Sequence, residues 1–338
     1  MSGGGDKAPL SPIGTQKRLA EGDELRLGVA GCGRIVERGY VPATLAAPGV
    51  RIVAFADPDP SRLRRCRELW EQGDGGPAGA YEDAADLLAA EHVDALVVAS
   101  PAATHGAIAA AAAATGVLSL VEKPPATDVE GARRLAALDP EPAIAFNRRF
   151  LQGEELRPRV PASGWLELEL ELCFRREAWA AHEVRDDALL DAGVHLIDLA
   201  AFLGDGSPIC VRRALVEPER AEFELDLNRG RARIRCATDR RHREAVEIRD
   251  RSGRTLARST LGGLGGRLAA LRGAPHPLVL SLRRQLTALR DAALGEGKPR
   301  LATARDGVVA LSVVEAVRRS AELGGAEVTV APCAEVVL

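Results

Sequence analysis

Aromatic residues make up only 3% of the 338-residue chain, so few flat rings are available for a ligand ring to stack on. Trp165 and Trp179 are the only tryptophans after residue 148. The chain has no charge bias of one sign. Its formal net charge of −3 gives no electrostatic reason to expect DNA or RNA as a partner. No apolar run is long enough for a membrane span, and residues 1–24 lack the apolar core of a signal peptide. Those residues, rich in Gly, Pro and Ser, read as a disordered leader. The six cysteines (Cys32, Cys66, Cys173, Cys210, Cys236, Cys333) show no Cys-x-x-Cys spacing. They read as reduced thiols of a cytoplasmic protein and not as a metal site.

What is present is a globular composition, 46% hydrophobic and 28% charged, on a chain long enough for two domains. Through the first part, apolar runs at Leu25–Ala30, Arg51–Ala56, Val93–Ala99, Val117–Val121 and Ala143–Phe146 read as buried strands. Helical patterns lie between them, near Ile35–Ala46, Ser61–Glu71, Asp83–Ala90, His105–Ala114 and Val129–Ala137. Strands separated by helices imply an α/β class, with a doubly wound parallel sheet and right-handed crossovers. After about Arg148 the pattern changes. Leu166, Leu168, Leu170, Leu172 and Phe174 alternate with Glu167, Glu169 and Glu171; Phe223, Leu225 and Leu227 alternate with Glu222, Glu224 and Asp226. Ala232, Ile234 and Cys236 alternate with Arg231, Arg233 and Arg235. Such period-two segments predict an antiparallel sheet with one polar face, on which the acidic and basic rows can pair. A flexible break at Gly262–Gly266, helices over Pro277–Ala293 and Ala304–Leu323, and a short strand at Ala326–Val330 complete an α+β second domain. The division expected is 1–24 leader, 25–147 nucleotide-binding domain, 148–338 substrate domain.

Gly31-Cys32-Gly33-Arg34 follows the first strand and opens a helix. One glycine permits the tight turn, and the other lets backbone N–H groups approach a pyrophosphate at a helix N-terminus. The third position of that fingerprint, usually Gly or Ala, is Val36. Asp57 ends the second strand, where a carboxylate accepts from a ribose diol and repels a 2′-phosphate. That favours NAD over NADP, although Arg34, Arg62 and Arg65 leave NADP open.

Lys123, in Glu122-Lys123-Pro124, falls at the C-terminal edge of the fourth expected strand, where open parallel sheets place ligands. A partly desolvated lysine there can hold a hydroxyl and stabilise a developing alkoxide; the tripeptide alone is an ordinary surface turn. Asp191 and His195 are four apart, so on an α-helix they share a face. His195 could take a proton with Asp191 behind it, or with Asp198 orienting its ring. Read bare, a histidine on an apolar helix is more often a satisfied core residue.

Together these segments, with Ala54-Phe55-Ala56-Asp57-Pro58, Ser100-Pro101-Ala102-Ala103-Thr104-His105, Phe146-Asn147-Arg148-Arg149-Phe150 and Asp191 through Asp198, resemble the glucose–fructose oxidoreductase / inositol dehydrogenase (Gfo/Idh/MocA) family over roughly Leu25 to Val330. The resemblance implies an N-terminal Rossmann domain and a C-terminal α+β domain with an open, mostly antiparallel sheet. It implies NAD(P)-dependent oxidation or reduction of a sugar or cyclitol hydroxyl. Lys123, Asp191 and His195 match the family's catalytic residues. Gly31, Cys32, Gly33, Arg34, Ile35, Asp57, Ser100, Pro101, His105, Glu122, Lys123, Asn147 and Arg148 fall in its cofactor site. The family often dimerises through the open sheet face. Here that face is charged, so a homo-oligomer stays an open expectation. Two other readings remain: NAD-assisted glycoside cleavage, as in some family members, and a non-catalytic nucleotide-binding sensor or scaffold. Arg148, Arg149, Arg175 and Arg176 could serve an anionic sugar, and Trp179 could line the pocket.

Overall fold

The structure, a computed structural model, describes residues 24–179, 186–204, 207–262, 276–295 and 301–330. The expected leader, Cys333 and all but the first residue of the Gly262–Gly266 break lie outside them.

Six strands, β1 (Leu25–Ala30), β2 (Val50–Ala56), β3 (Gly79–Tyr81), β4 (Ala95–Val98), β5 (Leu118–Val121) and β6 (Ala143–Ile144), pair in parallel in the order 6-5-4-1-2-3. Leu27, Val29, Val97 and Leu120 have no exposed surface, as expected for strands covered on both faces. The short β3, with partly exposed Gly79 and Tyr81, had no apolar run to announce it. Asp59 caps the helix between β2 and β3, Pro60–Gln72, by accepting from the N–H groups of Ser61 and Arg62.

The first helix differs from its expected form. It is a π-helical turn, Val36–Tyr40, leading into a short α-helix, Val41–Leu45. Pro42 has no N–H for an α-helical ladder and its ring crowds the carbonyl four residues back, which accounts for the break.

The second sheet contains β7 (Leu166–Arg175), β8 (Pro208–Glu217), β9 (Arg220–Leu227), β10 (Gly230–Ala237), β11 (Asp239–Asp250) and β12 (Thr255–Gly262). Its order is 12-11-7-10-9-8, with a two-residue β14 (Val328–Thr329) on the edge beside β8. Most pairs are antiparallel, but β7 and β10 are parallel. Alternation reports one-sided burial, and one-sided burial does not fix strand direction. On the outer face the rows pair: Arg231 donates to Asp226 at 2.8 Å, Arg233 to Glu224 at 2.8 Å, and Arg243 to Glu171 at 2.7 Å.

The chain then returns to the first sheet. The helix Pro277–Leu294 buries Leu282, Leu286 and Leu289 against a cluster that includes Val36, Tyr40 and Ile52. The strand β13 (Ala302–Thr303) adds to β6 antiparallel. Thr303 and Asp306 form a reciprocal capping box that starts the last helix, Ala304–Glu322.

Candidate functional site

The glycine turn sits between the C-terminal ends of β1 and β4. Gly31 has φ of 95°, and a Cβ there would lie 2.6 Å from the Ala99 carbonyl and 2.7 Å from Ser100 N. Only glycine fits. A Cβ on Gly33 would meet nothing within 4 Å, so that side of the turn is open to a ligand. Such a cradle beside the start of a helix suits a pyrophosphate. Val36 is fully buried, and the core has absorbed it. Cys32 is buried in the turn, and Cys66 Sγ donates to its carbonyl at 3.6 Å. A hydrogen bond with the Cys66 side chain, and then burial, push the Cys32 thiol up and keep it protonated.

Asp57 accepts from Cys32 N at 2.6 Å and from Asp59 N at 2.8 Å. The carboxylate is therefore fixed beside the turn by two backbone N–H groups. Arg34 pairs with Glu37 at 2.7 Å and Arg62 with Asp59 at 3.2 Å. Two of the three arginines that could receive a 2′-phosphate are thus engaged, and Arg65 is not, among the described residues; Ile35 is the residue before the π turn.

Ser100 and Pro101 form the loop after β4. His105, in the helix Ala102–Ala114 that follows, joins this loop to the next one. Its Nε2 faces the Ser100 carbonyl at 2.8 Å and its Nδ1 the Pro125 carbonyl at 3.3 Å. Burial pushes its pKa down in spite of both carbonyls. His105 is a clamp between the two loops.

Glu122 is buried at the end of β5, where Tyr40 Oη donates to it at 2.8 Å and Lys123 N at 3.1 Å. Burial raises its pKa against the pull of Tyr40 and Lys123. Tyr40 ends the π turn, so the first helix and the lysine loop are tied by this bond. No local sequence signal marks Tyr40.

Lys123 Nζ donates to Asp191 twice, to Oδ1 at 2.7 Å and to the backbone carbonyl at 2.9 Å. Arg176, just past β7, donates from Nε to Asp191 Oδ2 at 2.9 Å. Burial pushes the Asp191 carboxyl up, but Lys123 and then Arg176 more than offset it and hold it below its ordinary value. The expected Asp191–His195 pairing is not formed. Asp191 lies in a second π-helical turn, Leu189–Gly193, ahead of the α-helix Val194–Gly204. The wider turn removes the stacking that four-residue spacing gives in an α-helix, and two cations take both carboxylate oxygens.

Asp198 does not orient His195 either. It is buried against Arg149, whose Nε donates to it at 2.9 Å and whose Nη2 makes a second bond. Burial raises the Asp198 carboxyl to about 6, while Asp198 holds the guanidinium charged. That role for Arg149, also within 3.2 Å of Asp306, is structural.

His195 is 6% exposed, edge-on to Phe146 at 6.2 Å, and its Nδ1 is buried without a partner. Burial drives its pKa well below 6.5, and the two charges that add to this, Arg148 and Lys123, are both positive. Asn147 is buried and accepts from Arg148 Nη1 at 2.9 Å. Arg148 also lies 3.0 Å from Glu244 of β11, a buried carboxylate that sequence reasoning missed because β11 is charged almost throughout. The side chain of Trp179 lies outside the described residues. Among the described residues no cluster of three His, Cys, Asp or Glu could hold a metal ion, and no helix is long and apolar enough to cross a membrane. A depression of about 410 Å³ on the open sheet face, between Glu171, Arg220, Arg235 and Arg243, shares no residue with the Lys123 group.

Residues 25–142 match the sequence profile of an oxidoreductase family with an NAD-binding Rossmann fold, GFO_IDH_MocA. The rhizopine catabolism protein MocA of Rhizobium meliloti is 30% identical over 314 residues, which cover 86% of this chain and 93% of that protein. Inositol 2-dehydrogenase of Burkholderia vietnamiensis is 31% identical over 190 residues, 53% of this chain and 54% of that enzyme. The match therefore spans about half the length of that relative. The crystal structure of myo-inositol 2-dehydrogenase from Lactobacillus plantarum shares the fold with a TM-score of 0.73 at 17% identity, over 91% of this chain and 100% of that one.

Proposed function

The chain belongs to the Gfo/Idh/MocA oxidoreductase family, and from that footing we propose that it is an NAD-dependent dehydrogenase acting on a secondary hydroxyl or ketone of a sugar, cyclitol or sugar derivative. The observation that carries this reading is the grouping of a bound lysine, Lys123, and a neutral buried imidazole, His195, at the C-terminal edge of the nucleotide sheet.

NAD, when bound, supplies the acceptor for the hydride released from the carbinol carbon. The turn at Gly31 to Ile35 would hold its pyrophosphate, Asp57 its ribose, and the Ser100–Pro101 loop its length. The fixed Asp57 carboxylate and the engaged Arg34 and Arg62 support NAD over NADP. Lys123 holds the substrate oxygen and stabilises the charge that develops on it. His195, neutral at physiological pH, takes the hydroxyl proton at a ring nitrogen. Asp191 supports this from the other side, by fixing the ammonium of Lys123 and not the imidazole. A cytoplasmic setting is part of the same reading, supported by five cysteines that are free thiols in the structure.

The test is NADH formation at 340 nm (a wavelength set by the cofactor) against a panel of sugars, cyclitols and sugar acids, with NAD and NADP in parallel. Turnover that survives replacement of His195 undiminished would overturn the assignment.

A further inference from the structure

The proton and hydride chemistry leaves Arg176 only partly used. Arg176 spends Nε on Asp191, while Nη2 is buried with no partner and Nη1 makes no hydrogen bond among the described residues. The end of the guanidinium, two parallel N–H donors, is thus unpaired. That edge matches a carboxylate in a bidentate bond.

Most of the neighbouring carboxylates are engaged, and Asp186 and His195 Nδ1 are left without a hydrogen bond among the described residues. Both oxygens of Asp191 are occupied by Lys123 and Arg176, and both oxygens of Glu122 by Tyr40 and the Lys123 N–H. Glu244 faces Arg148 and His242. One carboxylate, Asp191, therefore serves two cations. A neutral polyol brings a hydroxyl donor with every oxygen and would find few free acceptors for them. A ligand with an ionised acid brings two acceptors and no donor at that end. Asp186 is the one carboxyl in the field of Lys123, Arg176 and Asp191 that makes no hydrogen bond among the described residues. It competes with such a ligand for the same cations.

We propose that the polyol taken by this site carries a carboxylate, as an aldonate or uronate does, and that Arg176 recognises it. The inference rests on the dehydrogenase reading for its reaction, but recognition is measured separately from turnover.

The experiment is calorimetric titration of the NADH-loaded protein with D-gluconate, D-glucuronate and myo-inositol, alongside steady-state kinetics on the same three. The acids are expected to bind about tenfold or more tighter than the neutral cyclitol. Arg176→Gln should cut that preference by about tenfold to a hundredfold, chiefly in KM, with partial rescue in Arg176→Lys. If the Arg176 variants fail to fold, Asp186→Asn serves instead: it should tighten the acids severalfold relative to myo-inositol. Equal binding of acids and cyclitol, or a preference untouched by Arg176→Gln and Asp186→Asn, overturns the proposal while leaving the dehydrogenase reading to stand on turnover. Acid binding that depends on Arg176 without any NADH formation upholds recognition and removes the dehydrogenase reading.

Discussion

His195 and Lys123 sit in one electrostatic neighbourhood, the imidazole kept neutral by burial and the lysine side chain held in place by Asp191. Replacing His195 with Gln should lower kcat by about 10²- to 10⁴-fold, the usual worth of a general base, while NAD affinity measured by fluorescence quenching stays level. Its titration also sets the pH response. Because the folded pKa lies below 6.5, the acidic limb of kcat/KM for the oxidation should fall below pH 6.5, and the rate should be flat across neutral pH. Stability has the same sign: below 6.5 the unfolded chain binds a proton that buried His195 refuses, so denaturation midpoints should drop as the pH falls. A kinetic limb near 7 would contradict the buried, neutral imidazole. At this scale the four-residue spacing points Asp191 at His195, whereas its two carboxylate oxygens go to Lys123 and Arg176. Spacing places Asp191 near His195, but no spacing announces that Lys123, 68 positions earlier, reaches both an oxygen of the side chain and the carbonyl.

Elements meet at the site through a few buried polar pairs. Arg149, from the short segment after β6, binds Asp198 on the helix Val194–Gly204 and Asp306 on the last helix. Asp198→Asn leaves that guanidinium without its main counter-charge and should cost about 3–5 kcal/mol in urea unfolding. Gly31→Ala meets a left-handed φ and backbone atoms at 2.6 Å together, so it should lower both the melting temperature and NAD affinity, the latter by at least about tenfold. The parallel strands other than β3, and the alternating β7, β9 and β10, are legible because their burial repeats with period one or two. The strands β8, β11 and β12 are not, since Arg, Asp and Glu interrupt the pattern on an edge or a solvated face. The two π turns also leave no periodic trace, and each redirects a residue of the site.

Across the whole molecule, the first sheet is completed by residues from the far end of the chain. Leu282, Leu286 and Leu289 are fully buried in its core, each contributing about 1.5–3 kcal/mol by burial, and β13 covers the outer side of β6. Residues 25–147 expressed alone should therefore be aggregated or non-cooperative in thermal unfolding by circular dichroism, and a soluble fragment with a sharp transition would contradict this. The consequence reaches into synthesis. The nucleotide-binding half leaves the ribosome first, yet the helix that seals it arrives on the order of ten seconds later at ordinary elongation rates. Through that interval β6 is a bare edge with an uncovered apolar flank. Nascent chains of this protein would be expected to need a chaperone for the half that, in the finished enzyme, is the more regular one.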